Sequence, residues 1–449
     1  MSRQRSDLRR TTALGVGVLL GASFGLPALA EEFPTPADVP ASIVAPEPPD
    51  ESRLAQQDVG RPPGGIMRPD FGAGSGVPGT ELSREEVEQI DAELIENILL
   101  INDPTERSLA LVQAARYKIV TRELETARTA LDRATESIEQ MADPVRRDLR
   151  LISTSKAFVE LAQESINAAV SGVPGILSLE QELSPEQRID ALRRGLDAFS
   201  RANELAARIV SIGYRPQTMY FAAEQQALGG QAIGVVAFRN PGRLADQPEV
   251  LADLRRISTD YIERAAAYAQ TIDAPVWRDV TLSAVTSAAA NSNQFPLARR
   301  IARSVPELEI RFQALLTVAE AEVRRGSADQ ATTDYAEAAR TVASLPIADL
   351  RSTLNNVLVE SLIAAGRFPD ARRCVVFYPT ELDRLEALGA VAESMGSRGL
   401  SDEARDWIFR EVRPEYRDQL FRRVNDGVLS TLERYGNDSS YLGTDSRAF

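Results

Sequence analysis

The amino-acid sequence predicts an all-α protein, a solenoid of antiparallel helix hairpins. Three observations predict it. Apolar residues recur at the helical period from Leu82 to about Tyr435, and no run alternates apolar and polar residues as a strand would. A proline followed a few residues later by an arginine returns along the chain: Pro104 and Arg107, Pro144 and Arg147, Pro185 and Arg188, Pro275 and Arg278, Pro306 and Arg311, Pro346 and Arg351, Pro379 and Arg384, Pro414 and Arg417. The arginines are 40 and 41 residues apart in the first half, then 33, 40, 33 and 33 in the second, which are lengths of helical-hairpin repeats.

Each element has a local reason. The helical part opens at Ser83-Arg84-Glu85-Glu86, which reads as a capping box with Ser83 as N-cap and Glu86 reaching back. Proline costs nothing in a first turn, where its missing N–H has no intrahelical partner, and Asp103, Asp143 or Ser184 just before it can cap the helix. Ala298, Ala331, Ala371 and Ala404, spaced 33, 40 and 33, are each expected to open the second helix of a hairpin. Gly326, Gly366 and Gly399 precede three of them, where a residue at positive φ ends the first helix. Phe295-Pro296-Leu297 before Ala298-Arg299-Arg300 returns as Phe368-Pro369-Asp370 before Ala371-Arg372-Arg373. Residues 188–277 fit the repeat less well. An apolar loop, Val173-Pro174-Gly175-Ile176-Leu177, precedes them, and Gly229, Gly230 and Gly234 interrupt a helix, so a region of longer helices is expected between two regular arrays.

The run Leu315, Val318, Ala319, Ala331, Tyr335 and Ala338 resembles the tetratricopeptide repeat (TPR), and Leu111, Ala114, Ala115, Ala127, Leu131 and Ala134 fit the same frame. In that family small residues let paired helices approach closely and an aromatic fills the gap between them. The resemblance spans most of residues 104–435 and implies a right-handed α-solenoid. The family's Trp and Gly of the first helix are missing here, and the longer spacings exceed its period of about 34 residues. A related solenoid with longer helices is the alternative.

The domain plan begins with a signal peptide over residues 1–30: Arg3, Arg5, Arg9 and Arg10, an apolar stretch from Ala13 to Leu26, then Ala28-Leu29-Ala30 before Glu31. Thr11, Thr12 and Ala13 follow Arg9-Arg10 where a twin-arginine signal carries an aromatic or Leu, which favours general secretion. The expected address is the periplasm or cell envelope, with an uncleaved inner-membrane anchor as the alternative. Residues 31–80 hold ten Pro and seven Gly and read as a disordered linker. An N-terminal TPR-like region is expected over 81–273, C-terminal TPR-like repeats over 274–435, and a flexible tail over 436–449.

Composition limits the chemistry. Removing residues 1–30, with four Arg and one Asp, takes the formal charge from −14 to −17, so a nucleic-acid partner is not expected. The chain has no His, which removes Ser-His-Asp and Cys-His nucleophiles, HExxH zinc sites and imidazole acid–base work. What remains open is carboxylate chemistry, as in glycan cleavage by paired acids, a Ser-Lys pair or a lone thiol. Ser153-Thr154-Ser155-Lys156 matches a Ser-x-x-Lys string but has no Ser-Asp-Asn or Lys-Thr-Gly companion. Gly74-Ser75-Gly76-Val77-Pro78-Gly79 spells a dinucleotide fingerprint in a Pro-bearing linker with no strand before it, and Gly230 to Gly234 spells GxxxG in too short an apolar stretch to span a bilayer. Cys374 is the single cysteine and sits in an apolar run, which suits an inert buried thiol.

The candidate binding residues are Arg278, Arg311, Arg351, Arg384 and Arg417, one per hairpin. They are expected to form a column that either grips an acidic peptide or wall polymer or pairs with acids of the next hairpin. No catalytic residue, cofactor or metal is expected. The function expected is an exported, non-catalytic scaffold that binds an envelope protein or peptide. The alternatives are a carboxylate-dependent wall-lytic enzyme and a structural component of envelope assembly.

Overall fold

The structure, a computed structural model, describes residues 93–171, 183–239 and 247–442. The signal segment, the linker with its glycine string at 74–79, the capping box at 83–86, the apolar loop at 173–177 and residues 443–449 lie outside the described residues.

Among the described residues there is no strand. After a helical segment at 93–99 come α1 (Pro104–Val120), α2 (Leu124–Glu139), α3 (Pro144–Ser171), α4 (Pro185–Ala207), α5 (Arg215–Gly234), α6 (Pro248–Gln270), α7 (Pro275–Asn291) and α8 (Phe295–Ser304). They are followed by α9 (Leu308–Arg325), α10 (Ala328–Ala343), α11 (Ala348–Ala364), α12 (Phe368–Cys374), α13 (Glu381–Ser397), α14 (Ser401–Glu411) and α15 (Pro414–Leu442). Each odd-numbered helix from α1 to α13 packs on the even-numbered helix that follows it, forming a hairpin, and on the next odd-numbered helix. That nearest-neighbour stacking is an α-solenoid. The described helices form one compact unit, in which α5 packs on both α6 and α7 and so joins the two helical regions.

Prolines stand in the first turns of α1, α4, α5, α6, α7, α8 and α12, and Asp103 and Ser184 cap α1 and α4 through their side chains. Gly326, Gly366 and Gly399 take φ of 83°, 72° and 76° between the helices of three hairpins. Ala298, Ala331, Ala371 and Ala404 are fully buried at the start of α8, α10, α12 and α14. Each is placed where its methyl contributes to the core.

The two repeat lengths have a simple origin. In the repeats of 33 residues the second helix is 10, 7 or 11 residues long, in α8, α12 and α14, whereas the repeat of 40 from Arg311 to Arg351 carries the 16-residue α10. The added length is about two helical turns. The 41-residue step from Arg147 to Arg188 is different in kind. Arg147 lies on α3 and Arg188 on α4, the two helices of one hairpin, and the spacing reflects the 28 residues of α3.

The structure differs from the sequence reading in two other places. Gly229 and Gly230 do not interrupt α5. A Cβ on Gly230 would lie 2.9 Å from Tyr261 Cβ and 3.1 Å from the Ser258 carbonyl oxygen, so these glycines let α6 lie against an unbroken helix. A five-residue π-helical turn, Val235–Arg239, then closes α5. At the other end, α15 runs past Tyr435 to Leu442, because polar side chains do not by themselves stop a helix that is already propagating.

The turn between α7 and α8 places Asn293 at φ 64°, the position that glycine holds in three later hairpins, and its Nδ2 is buried without a hydrogen-bond partner among the described residues. Asn293→Gly is expected to raise stability by about 0.5–1 kcal/mol, since glycine adopts this conformation without strain and removes the stranded amide. A higher urea midpoint in equilibrium unfolding checks this.

Candidate binding surface

The column arginines sit one turn into α7, α9, α11, α13 and α15, where the chain has just entered a new hairpin. Four of them reach back to the linker they follow. Arg311 Nε donates to the Val305 carbonyl at 2.6 Å, Arg351 Nη1 to Leu345 at 3.1 Å, Arg384 Nε to Tyr378 at 2.9 Å and Arg417 Nε to Val412 at 3.0 Å. Arg278 differs, donating to its own neighbour Asp279 at 2.9 Å. Arg107 Nη1 makes the same backward contact to the Ile101 carbonyl at 3.1 Å. The acceptors are backbone carbonyls of the loop and not the acids of the next hairpin that sequence reasoning offered as partners. Helix ends leave such carbonyls without intrahelical partners, and a charged donor satisfies them well.

Asp148 and Asp279 satisfy the opposite groups, and sequence reasoning missed them. The buried Asp148 carboxylate on α3 accepts the Val210 N–H at 3.1 Å and the Ser211 N–H at 2.8 Å, holding the loop between α4 and α5. Asp279 on α7 accepts the Glu307 N–H at 3.1 Å in the equivalent loop after α8. The signal was present in the dipeptides Arg147-Asp148 and Arg278-Asp279, each at the start of the first helix of a hairpin.

A second ionic group lies inside the stack. Arg299 of α8 donates Nε to both carboxylate oxygens of Asp334 on α10 at 2.9 Å, and pairs with Glu322 of α9. Both acids are fully buried. Burial first, and Asp334 beside it, push the Glu322 carboxyl up to about 8, against the pull of Arg299. These two acids are drawn together, but no substrate reaches a sealed pair, so they do not form the open cleft that paired-carboxylate glycan cleavage requires.

The other sequence candidates are not brought together. Thr154 and Ser155 are buried, with Ser155 Oγ donating to the Ala202 carbonyl at 2.9 Å, while Lys156 is exposed. The Cys374 thiol is buried, and burial pushes it up to about 11. It is expected to resist a thiol reagent such as iodoacetamide at neutral pH and to react fully once the chain is unfolded, as mass spectrometry would read. Among the described residues no cluster has the composition of a metal site, and no helix is long and apolar enough to cross a membrane.

Among the described residues, two of the surface recesses carry charged rims. One, about 320 Å³, runs between the successive first helices α11 and α13. Val359, Ile363, Ala387 and Ala390 give it apolar walls, Tyr378 donates its hydroxyl to Asn356 Oδ1 at 2.5 Å, and Glu360, Asp383 and Glu386 rim it. None of these three acids has an ion-pair partner among the described residues. Burial, with Glu360 and Asp383 nearby, pushes the Tyr378 phenol upward, which keeps it a neutral hydrogen-bond donor. The other recess, about 410 Å³ and more open, lies where α8, α9 and α10 meet.

No family model matches the chain, and no curated protein matches it. Among solved structures, it aligns with Ton1535 from Thermococcus onnurineus NA1 at 15% identity over 76% of this chain and 86% of that one, with a TM-score of 0.27. A circular tandem repeat protein with novel repeat topology aligns at 15% identity over 80% and 92%, with a TM-score of 0.36. A Rap protein complexed with competence and sporulation factor aligns at 12% identity over 71% and 99%, with a TM-score of 0.18. None of these scores is that of a shared fold, and the solenoid assignment stands on the helices and contacts of this chain.

Proposed function

We propose that this chain is an exported, non-catalytic scaffold of the TPR-like kind that holds a protein or peptide of the cell envelope on its helical-repeat surface. The observation that carries the proposal is the groove between α11 and α13, an apolar trough bordered by three carboxylates without counter-ions. Grooves with an apolar floor and a few polar groups suit side-chain capture, and an unneutralised acidic rim attracts a basic segment. At this groove the expected chemistry of the partner is basic and not acidic, since Arg351 and Arg384, the column arginines of α11 and α13, are engaged with loop carbonyls. A chain without His, whose close carboxylate pair is sealed inside the stack, has more to offer as a holder than as a catalyst.

The test is affinity capture from envelope extracts, using the chain without residues 1–30 and comparing it with a Glu360→Lys and Glu386→Lys double variant. Both positions are exposed, so the variant is expected to melt with the wild type. A partner retained by the wild type and lost by the variant supports the proposal. Recovery of the same proteins in the same amounts by both sinks the groove, and recovery of none by the wild type sinks the scaffold itself. A parallel capture without residues 31–80 tells whether the linker contributes.

A further inference from the structure

The recess where α8, α9 and α10 meet is lined by Arg303, Leu308, Arg311, Glu337, Arg340, Thr341 and Ser344. Its charges do not balance. Arg303 is matched by Glu337 in a two-pronged pair, Nε to Oε1 at 2.8 Å and Nη2 to Oε2 at 2.6 Å, and this contact holds the Glu337 carboxyl below the usual range. Arg311 and Arg340 have no carboxylate within ion-pair distance among the described residues. Arg340 spends only Nε, on the Ala336 carbonyl of its own helix at 3.3 Å, and Arg311 uses Nε and Nη2 on Val305 and Pro306. Two guanidinium groups therefore face one open recess with donors to spare, in a chain whose formal charge is −14. The recess also meets the first turn of α9 at Leu308, where Glu309 and the Asp279 carboxylate on the Glu307 N–H offset the helix's own positive end, so the positive potential there comes from the arginines.

We infer that this recess is a binding site for a phosphate-class dianion, held by Arg340 and Arg311. Two unmatched positive charges answer a doubly charged oxyanion better than a single carboxylate. The Nη1/Nη2 edge of Arg340 is free and matches the spacing of phosphate oxygens, while Arg311, with Nε and Nη2 on loop carbonyls, adds its charge and Nη1. An open recess of this size leaves room for whatever the phosphate is esterified to, so the source is either a free phosphate compound or a phospholipid headgroup at a membrane surface.

The experiment uses the whole chain and two probes. Inorganic phosphate is titrated calorimetrically at constant ionic strength against chloride, and sedimentation follows binding to phosphatidylcholine vesicles with and without phosphatidic acid. The variant is Arg340→Gln, exposed and bonded only within its own helix. The control is Arg405→Gln on α14, an exposed arginine outside the recess. The wild type is expected to bind phosphate with a Kd on the order of 1 mM, weakened at least about tenfold in Arg340→Gln and unchanged in Arg405→Gln. Binding of the phosphatidic acid vesicles lost in the same variant identifies the lipid source, and free phosphate binding without it identifies a soluble compound. Absence of phosphate and vesicle binding in the wild type, or equal loss in variant and control, overturns the site.

Discussion

Gly427→Ala is expected to lower the unfolding free energy by about 3 kcal/mol or more, a large effect for a single methyl group. Gly427 on α15 faces the backbone of α13. A Cβ there would land on the Glu393 carbonyl oxygen and within 2.8 Å of the Ser397 nitrogen. The relation is mutual, since a Cβ on Gly396 of α13 would land on the Val424 carbonyl oxygen of α15. Overlap with a flexible side chain is relieved by a rotamer change. Overlap with backbone on both helices is relieved only by moving the helices apart. Separation would also loosen Leu420 and Val424, both buried at this contact, and the hydrogen bond from Thr431 Oγ1 to the Ser397 carbonyl at 2.9 Å. Gly389, on the same helix, is the control, because its nearest neighbours are Arg423 side-chain atoms at 3.5 Å, and Gly389→Ala is expected to change stability by less than about 0.5 kcal/mol. Urea unfolding with an unchanged m-value would measure both, and equal midpoints for the two variants would refute the close crossing.

Arg299→Met is expected to cost about 3–5 kcal/mol at neutral pH, because it strands two fully buried acids without their cation. The wild-type triad has its own pH dependence. An acid whose folded pKa is raised holds its proton more tightly in the folded chain. That contribution is complete below the ordinary value of 4.5 and is lost as pH rises through about 8, so stability from Glu322 falls across that window. Glu322→Gln, which keeps the shape and cannot ionise, is expected to flatten this fall. Thermal melts of the wild type and Glu322→Gln from pH 5 to pH 9 would show two parallel curves if Glu322 titrates outside that window.

How far each feature was legible depends on whether its partner is local. Proline at a first turn, glycine at positive φ and alanine at a helix crossing act through their own backbone or nearest turn, so their spacing announced the hairpins before any contact was known. The column arginines were equally visible, but their purpose was not, because the groups four of them bind are peptide carbonyls that every residue carries. Glu322 and Asp334 look in sequence like the polar face of any helix. Only the stacking of α8, α9 and α10 buries them. Gly396 and Gly427 are lone glycines in different helices, and nothing local marks them as a pair. The grooves are later consequences still, since they exist only between elements that the stacking brings together.

The contact from arginine to loop carbonyl has a consequence for how freely the protein can be rebuilt. The acceptor is the peptide unit at Val305, Leu345, Tyr378 or Val412, so the clamp depends on where the loop runs and not on which side chains it carries. Exposed loop positions such as Pro346, Ile347 and Pro379 can then be rewritten without touching the joint, provided the backbone path is kept. Each of these hairpins brings the arginine that fastens it to the loop before, so Arg351 and Arg384, away from the buried Arg299 group and the Gly396–Gly427 crossing, are natural splice points for adding or removing a repeat.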